Sequence, residues 1–138
     1  MSAAITLRGL DHVVLRTAKL DAMIAFYRDV LGCALERRLD ELGLVQMRAG
    51  ASLIDLVDTV GELGRAGGAP PGREGRNVDH FCVQVEGFDA EAIRAHLAAH
   101  GVDMGEVVRR YGAEGFGPSV YISDPDGNMV ELKGPAER

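Results

Sequence analysis

Hydrophobic and polar residues alternate along four short stretches of the chain, at residues 10–15, 52–57, 78–85 and 128–133. Such alternation predicts half-buried β-strands, because successive side chains of a strand point to opposite faces of its sheet. Two further stretches, 20–31 and 89–100, carry apolar residues at helical spacing, and each is followed by a glycine, Gly32 or Gly101. A glycine at that position is a natural left-handed end for a helix, so the pattern predicts strands separated by two helices.

The second half of this pattern repeats the first. Each half opens on a strand that carries an aspartate-histidine pair, with the histidine at His12 or His80. Each half then passes through a predicted helix and closes on a strand with one carboxylate among apolar residues, Asp55 or Glu131. Because internal repeats define the architecture of a chain, the sequence predicts two copies of one β-α-β-β-β unit.

The repeat sets the expected domain organisation. The first module spans about residues 7–58, a linker rich in glycine and proline spans 59–77, and the second module spans about residues 78–134. The 138 residues suit a single α+β domain, with helices packed on the apolar face of the strands.

The two copies differ in length. The spacing from histidine to carboxylate is 43 residues in the first copy and 51 in the second. We assign the eight extra residues to the glycine-rich stretch 111–118, and we expect a mobile loop at residues 112–117. Such a loop would cover a cleft and bring Arg109, Arg110 or Tyr111 to a substrate.

Composition narrows the range of partners. A net charge of −6 and a pI near 5.1 argue against nucleic acid or an anionic membrane as the main partner, and both are compatible with a divalent cation. No apolar run approaches the roughly 20 residues of a membrane helix. The two cysteines, Cys33 and Cys82, hold non-equivalent places in the repeat, so we expect buried free thiols in a reducing cytoplasm.

Histidines and carboxylates share one face of the predicted strands, whereas the opposite face is apolar. Imidazole nitrogen and carboxylate oxygen together suit Zn, Ni, Co, Mn or Fe as a divalent ion. The pseudo-two-fold axis of a repeat brings equivalent positions together, so we expect His12, His80 and Glu131 to bind one metal ion. For Asp55 three roles stay open: direct ligation, ligation through water, and action as a base.

A second pair of histidines has a different interpretation. His96 and His100 lie four residues apart on the second predicted helix, a spacing that can bind zinc. The glutamate of the zinc-protease motif is missing between them. Histidines in the last turn of a helix also complement its dipole, so we expect neither residue to bind a metal.

Two longer motifs resemble a known family. They are Phe-Tyr-Arg-Asp-Val-Leu-Gly at residues 26–32 and Asp-Pro-Asp-Gly-Asn-Met-Val-Glu-Leu at residues 124–132. Together with the two Asp-His strands, they resemble the vicinal oxygen chelate superfamily of glyoxalase I, bleomycin-resistance proteins, fosfomycin-resistance transferases, methylmalonyl-CoA epimerase and extradiol dioxygenases. The resemblance covers about residues 7–133. It is strongest to small single-domain glyoxalase-like proteins, which carry an Arg-x-Gly-Ala-x-Gly stretch similar to residues 110–115.

The resemblance implies more than the pattern of residues does. It implies two paired βαβββ modules that form a cupped, mostly antiparallel sheet with helices on its outer face, a bound divalent metal ion, and a homodimer. By position, the family's four metal-site places fall on His12, Asp55, His80 and Glu131. Asp55 departs from the glutamate or glutamine that glyoxalase I usually has at this place.

The leading functional hypothesis is a metal-dependent lyase or isomerase of glyoxalase type, similar to lactoylglutathione lyase. Its substrate would be a small molecule with two adjacent oxygens, bound to the metal. Glu131 or Asp55 would transfer the proton, and the expected substrate-binding residues are Arg109, Arg110, Tyr111 and Tyr121.

Three alternatives stay open. Two histidines and one carboxylate also form the triad of Fe(II) enzymes, as in an extradiol-type dioxygenase. A fosfomycin-type thiol transferase would hold a phosphonate with Arg109, Tyr121 and Lys133. A bleomycin-type ligand-binding protein would need neither metal nor catalysis, but the chain has no tryptophan and only 5% aromatic residues for stacking.

Overall fold

A computed structural model describes residues 4–137 of the chain. The chain divides into two compact units, Met1–Pro70 and Pro71–Arg138. None of the helices in the described part is long and apolar enough to cross a membrane.

The first unit is a four-stranded mixed sheet with one helix. Its strands are β1 (His12–Thr17), β2 (Ala34–Leu39), β3 (Leu44–Ala49) and β4 (Ser52–Asp58), and its helix is α1 (Leu20–Ala25). The strands lie in the order β1-β4-β3-β2, with β1 parallel to β4 and the other pairs antiparallel. Short helical turns follow at Asp40–Leu42 and Gly64–Gly67.

The second unit has the same topology. Its strands are β5 (His80–Gln84), β6 (Val108–Gly112), β7 (Gly115–Ser123) and β8 (Met129–Lys133), and its helix is α2 (Ala90–Ala99). The strand order is β5-β8-β7-β6, and β5 runs parallel to β8. The prediction of an α+β fold with two βαβββ modules is therefore confirmed.

The core of the first unit lies between its helix and one face of its sheet. α1 packs against β4. The largest buried side chains, Met23, Tyr27, Met47 and Leu56, are all fully inaccessible to solvent. Burying each such apolar side chain stabilises the fold by about 1.5–3 kcal/mol, which fixes this face of the sheet as the inner one.

The first predicted helix changes its geometry half-way. Regular α-helix ends at Ala25, and Phe26–Val30 continues as a wider π-helical turn in which the Leu31 amide donates to the Phe26 carbonyl. Gly32 then ends the helix with φ of 75°, as its left-handed conformation requires a residue without a Cβ. Periodicity alone does not separate these two helical forms, whose spacings are similar over one turn.

The second helix has well-defined ends. The Asp89 carboxylate accepts a hydrogen bond from the Ala92 amide at 3.1 Å and so caps the first turn. At the other end Gly101 takes φ of 69°, and the Val102 amide donates to the Leu97 carbonyl at 2.9 Å. The predicted stretch 89–100 thus contains the helix and both of its caps.

The glycine-rich stretch is a tight hairpin, so the expected mobile loop is wrong. Gly112 pairs with Gly115 at the end of β6 and β7. This hairpin spans residues 108–123, and its counterpart in the first unit spans residues 34–49, which is the same length. The extra residues of the second unit lie instead in the connections before and after α2 and in the turn that precedes β8.

The predicted linker is held at each end by a different arginine. In the first unit Arg16 donates to the carbonyls of Gly64, Gly68 and Ala69 at 2.6–3.1 Å. In the second unit Arg76 donates to the Asp126 carbonyl at 2.9 Å. The two arginines therefore fix the ends of a linker that forms little regular secondary structure. The sequence pattern does not predict these hydrogen bonds.

The cap of α2 gives a stability test. Asp89→Ala removes the acceptor for the Ala92 amide, so the free energy of unfolding should fall by about 1 kcal/mol. Urea denaturation measures this change. Asp103→Ala removes an exposed carboxylate outside any helix and is the matched control. Equal effects of the two substitutions would contradict the capping role.

Candidate metal centre

Parallel pairing puts a histidine and a carboxylate on one face of the first unit. β1 pairs with β4 so that His12 lies opposite Leu53, and Val14 lies opposite Asp55. His12 and Asp55 are therefore diagonal neighbours whose side chains share a face of the sheet. This is the face opposite the helix-packed core.

Asp55 is buried with an incomplete set of hydrogen bonds. Only 4% of the residue is exposed. Its Oδ2 accepts from Gln46 Nε2 at 3.2 Å, whereas its buried Oδ1 has no partner among the described residues. Leaving a buried acceptor without a partner costs free energy, so a donor or a cation bound at this oxygen would stabilise the protein.

The second unit repeats the arrangement with closer contacts. His80 lies opposite Met129, and Cys82 lies opposite Glu131, so His80 and Glu131 share a face. The distance from His80 Nε2 to Glu131 Oε1 is 3.2 Å. Ser119 Oγ donates to the other carboxylate oxygen, Oε2, at 2.6 Å. Glu131 is 6% exposed and has a partner at each oxygen.

Each histidine is held by the aspartate that precedes it. The distance from Nδ1 to the aspartate carboxylate is 2.7 Å for both His12 with Asp11 and His80 with Asp79. A carboxylate that accepts from Nδ1–H leaves Nε2 as the nitrogen with a free lone pair. Metal-binding histidines usually have such a partner on the second ring nitrogen, so both imidazoles are oriented for ligation through Nε2.

The aspartate also changes the acidity of one imidazole. The hydrogen bond that His12 donates to Asp11 raises the pKa of His12 above its ordinary value, and the negative charge of Asp55 adds to this increase. Both carboxylates stabilise the protonated ring, and either would also stabilise a bound cation at the same place.

The expected substrate-binding residues divide between the two faces of the second sheet. β6 pairs with β7 so that Arg110 lies opposite Gly117. Gly117 and Ser119 are two residues apart on β7, so Arg110 projects from the same face as Ser119 and Glu131. Tyr121 lies opposite Glu131 on that same face. Arg109 and Tyr111 alternate with Arg110 and therefore project from the opposite face.

Arg110 and Tyr121 contact each other beside the histidine. The Arg110 guanidinium lies over the Tyr121 ring, 4.5 Å from its centroid, and donates to the Ser119 carbonyl at 3.2 Å. The edge-to-face distance between the rings of Tyr121 and His80 is 5.1 Å. Burial and the negative charge of Glu131 raise the pKa of the Tyr121 hydroxyl, which keeps it protonated.

The other two residues form a separate surface cluster. Arg109 makes an ion pair with Glu137 at 2.7 Å, and its guanidinium lies 4.2 Å from the centroid of Phe116. Tyr111 packs against the same ring. Their contact with a substrate stays a prediction. Both residues lie on the face of the sheet opposite Glu131.

Comparisons with known proteins decide the family. The model of the glyoxalase/bleomycin resistance protein/dioxygenase superfamily matches residues 9–132. The chain belongs to this superfamily. The match includes all four histidine and carboxylate positions of the two units.

Several known proteins are similar to this chain over most of their length. The glyoxalase domain-containing protein RDO1 of Mycosarcoma maydis is 31% identical over 93% of this chain and 69% of its own. A lactoylglutathione lyase of Haemophilus influenzae is 30% identical over 88% of each chain. The solved structure of VPC_CASS1, from the mobile metagenome of V. Pseudocholerae, has a TM-score of 0.77 at 26% identity and covers 98% of this chain and 100% of that one.

Three residues of this glyoxalase-superfamily site were not expected from the sequence. Gln46 and Ser119 each hold one oxygen of a buried carboxylate, and Cys82 lies beside Glu131. Cross-strand register identifies such neighbours, and alternation within one strand does not give the register.

Cys82 departs from the expected pair of buried thiols. Both cysteines are free, but Cys33 is buried and Cys82 is exposed. Local desolvation and the charge of Glu131 raise the pKa of Cys82 to about 11. The thiol is therefore protonated at neutral pH and is a poor nucleophile.

Each unit contains one histidine-carboxylate pair. Among residues 4–137, no group of three or more His, Cys, Asp or Glu side chains is close enough together to hold a metal ion.

The second pair of histidines lies at the end of α2. The ring centroids of His96, on α2, and His100, which caps the helix, are 4.6 Å apart. His100 Nδ1 is 3.0 Å from the His96 carbonyl oxygen.

The Asp11–His12 hydrogen bond gives a pH test. In metal-free protein, Asp11→Asn should lower the pKa of His12 toward its ordinary value of 6.5, as measured by NMR titration of the ring. A raised folded pKa stabilises the protein below pH 6.5, and that stabilisation is lost as the pH rises through the folded pKa. The substitution should therefore destabilise the protein more at about pH 5 than at about pH 9.

The matched control is Asp79→Asn, which removes the equivalent carboxylate of the second unit. It should leave the titration of His12 unchanged. An unchanged pKa of His12 in the Asp11→Asn variant would contradict the role of Asp11.

Proposed function

We propose that this protein is a divalent-metal-dependent lyase or isomerase of glyoxalase type that acts on a small substrate with vicinal oxygens. The observation that carries the proposal is an arrangement that both units repeat. In each unit, a histidine that is hydrogen-bonded to the preceding aspartate shares a sheet face with a buried carboxylate on the adjacent parallel strand. A fold that only needed packing would have no reason to keep this polar pair in both units, because burying each carboxylate is costly.

The types of these residues suit a first-row divalent ion. We propose His12, Asp55, His80 and Glu131 as metal ligands. Two imidazole nitrogens and two carboxylate oxygens suit Zn, Ni, Co, Mn or Fe. The partnerless Oδ1 of Asp55 supports this assignment, since a metal bond would satisfy it. A homodimer, which the family resemblance implies, is part of the proposal.

A bound metal ion would act as a Lewis acid that polarises an oxygen of the substrate. The protein residues would move the proton. We assign Glu131 as the base, because the Ser119 hydroxyl holds its Oε2 in place and its Oε1 lies 3.2 Å from His80 Nε2. Asp55, with one oxygen fixed by Gln46, is the alternative base if its free oxygen does not bind the metal.

The substrate-binding part of the proposal rests on the second sheet. Arg110 and Tyr121 share the face of Glu131 and contact each other, so they are the residues we place on the substrate. The similarity to the Haemophilus influenzae lactoylglutathione lyase supports a glutathione hemithioacetal as the first substrate to test.

An activity assay tests this proposal. Protein reconstituted separately with Ni, Zn, Co or Mn is given the hemithioacetal of methylglyoxal and glutathione. Glu131→Gln should lower kcat by about 10²–10⁴-fold, because it removes both a ligand and the base. Glu106→Gln, at an exposed position outside the sheet, is the matched control and should retain full activity.

Two results would contradict the proposal. One is equal turnover by the wild type and Glu131→Gln. The other is turnover of a catechol with Fe(II) and oxygen but no isomerisation with any of the metals, which would support the dioxygenase alternative.

A further inference from the structure

Lys133 is the one buried cation among residues 4–137, with 6% of its surface exposed. It follows Glu131 by two residues on β8, so both side chains project from the same face of the second sheet. Lysine is rarely buried to this degree unless its charge has a partner.

Gly112 makes room for this side chain. A Cβ added at Gly112 would lie 2.8 Å from Lys133 Cε and 2.9 Å from Cδ, so any other residue there would have to displace the lysine. At Gly117 an added Cβ would lie 2.5 Å from the Pro135 carbonyl oxygen and 3.1 Å from Lys133 Nζ. The lysine side chain therefore lies across the bare backbone of the β6–β7 hairpin.

The ammonium group has no partner in the described part of the chain. It makes no hydrogen bond and no ion pair with any of residues 4–137. The buried polar atoms without a partner belong to Asp55 and Asp126. The Lys133 ammonium is thus the accessible tip of a buried side chain.

The nearby carboxylates are already engaged by neutral groups or by histidine. Glu131 accepts from Ser119 and contacts His80, and Glu114 accepts from Gln84 Nε2 at 2.9 Å. A second cation lies on the same face, since Arg110 contacts Tyr121 and the Ser119 carbonyl and makes no ion pair among the described residues. Two cations without an ion pair among the described residues therefore lie on the face of Glu131.

We propose that Lys133, supported by Arg110, binds an oxyanion group of the substrate. The substrate class is then a small molecule that carries a carboxylate or phosphonate in addition to its vicinal oxygens. This inference rests on the proposed function, and it names the chemistry of the molecule bound at that site. Charge-assisted hydrogen bonds of this kind also fix orientation, so the group would set specificity.

The chain has only two lysines, Lys19 and Lys133, which makes a direct measurement possible. In metal-free protein labelled with ¹³C at lysine Cε, the NMR spectrum contains one signal from each residue. Titration with methylphosphonate, and separately with acetate, should shift the Lys133 signal with saturation. The Lys19 signal, from an exposed residue of the first unit, should not move in this way.

Three variants sharpen the test. Gly112→Ala keeps every charge but displaces the lysine, so it should weaken anion binding at least about fivefold. Lys133→Met should weaken it about tenfold or more, as followed by the backbone amide signals of residues 112 and 117. Lys19→Met is the matched control and should leave binding unchanged.

The outcomes separate this inference from the proposed function, because the titration needs neither metal nor turnover. Saturable binding at Lys133 by either anion supports the inference, and the preferred anion identifies the oxyanion. Equal, unsaturated shifts of both lysine signals, or binding unchanged in folded Gly112→Ala, would overturn it. Metal-dependent turnover without anion binding would overturn the inference alone.

Discussion

The parallel pairing of the first and last strands of each unit is the constraint on which the candidate site depends. β1 runs beside β4, and β5 runs beside β8, although the three later strands of each unit are antiparallel. This pairing makes each histidine a diagonal neighbour of a carboxylate on the same face. The apolar residues that alternate with them form the opposite face, so packing of the core holds the polar pair in position.

The two pairs are equivalent in position but different in their surroundings. Asp55 has one oxygen bound to Gln46 and one buried oxygen without a partner. Glu131, which is one methylene longer, has a partner at both oxygens and lies beside Tyr121 and Lys133. The first unit therefore keeps a buried carboxylate oxygen without a partner among the described residues, whereas in the second unit Tyr121 and Lys133 lie on the face of the carboxylate.

Much of this arrangement could be predicted from the sequence. Alternation and the internal repeat gave the βαβββ topology and placed His12 and Glu131 on polar faces. The hairpin at residues 112–115 was missed because a glycine-rich sequence is also typical of loops. In the structure, Gly112 instead allows the Lys133 side chain to approach the backbone closely. Gln46 and Ser119 were missed because their contacts depend on strand register, which two-residue periodicity does not fix.

The central claim is that the repeated histidine-carboxylate pairs bind a divalent metal ion. Elemental analysis of metal-loaded protein, together with calorimetric titration, tests it most directly. We expect a bound ion in the wild-type protein, weaker binding in His12→Ala and in His80→Ala, and unchanged binding in His100→Ala. Wild-type binding by both of the first two variants would contradict the claim.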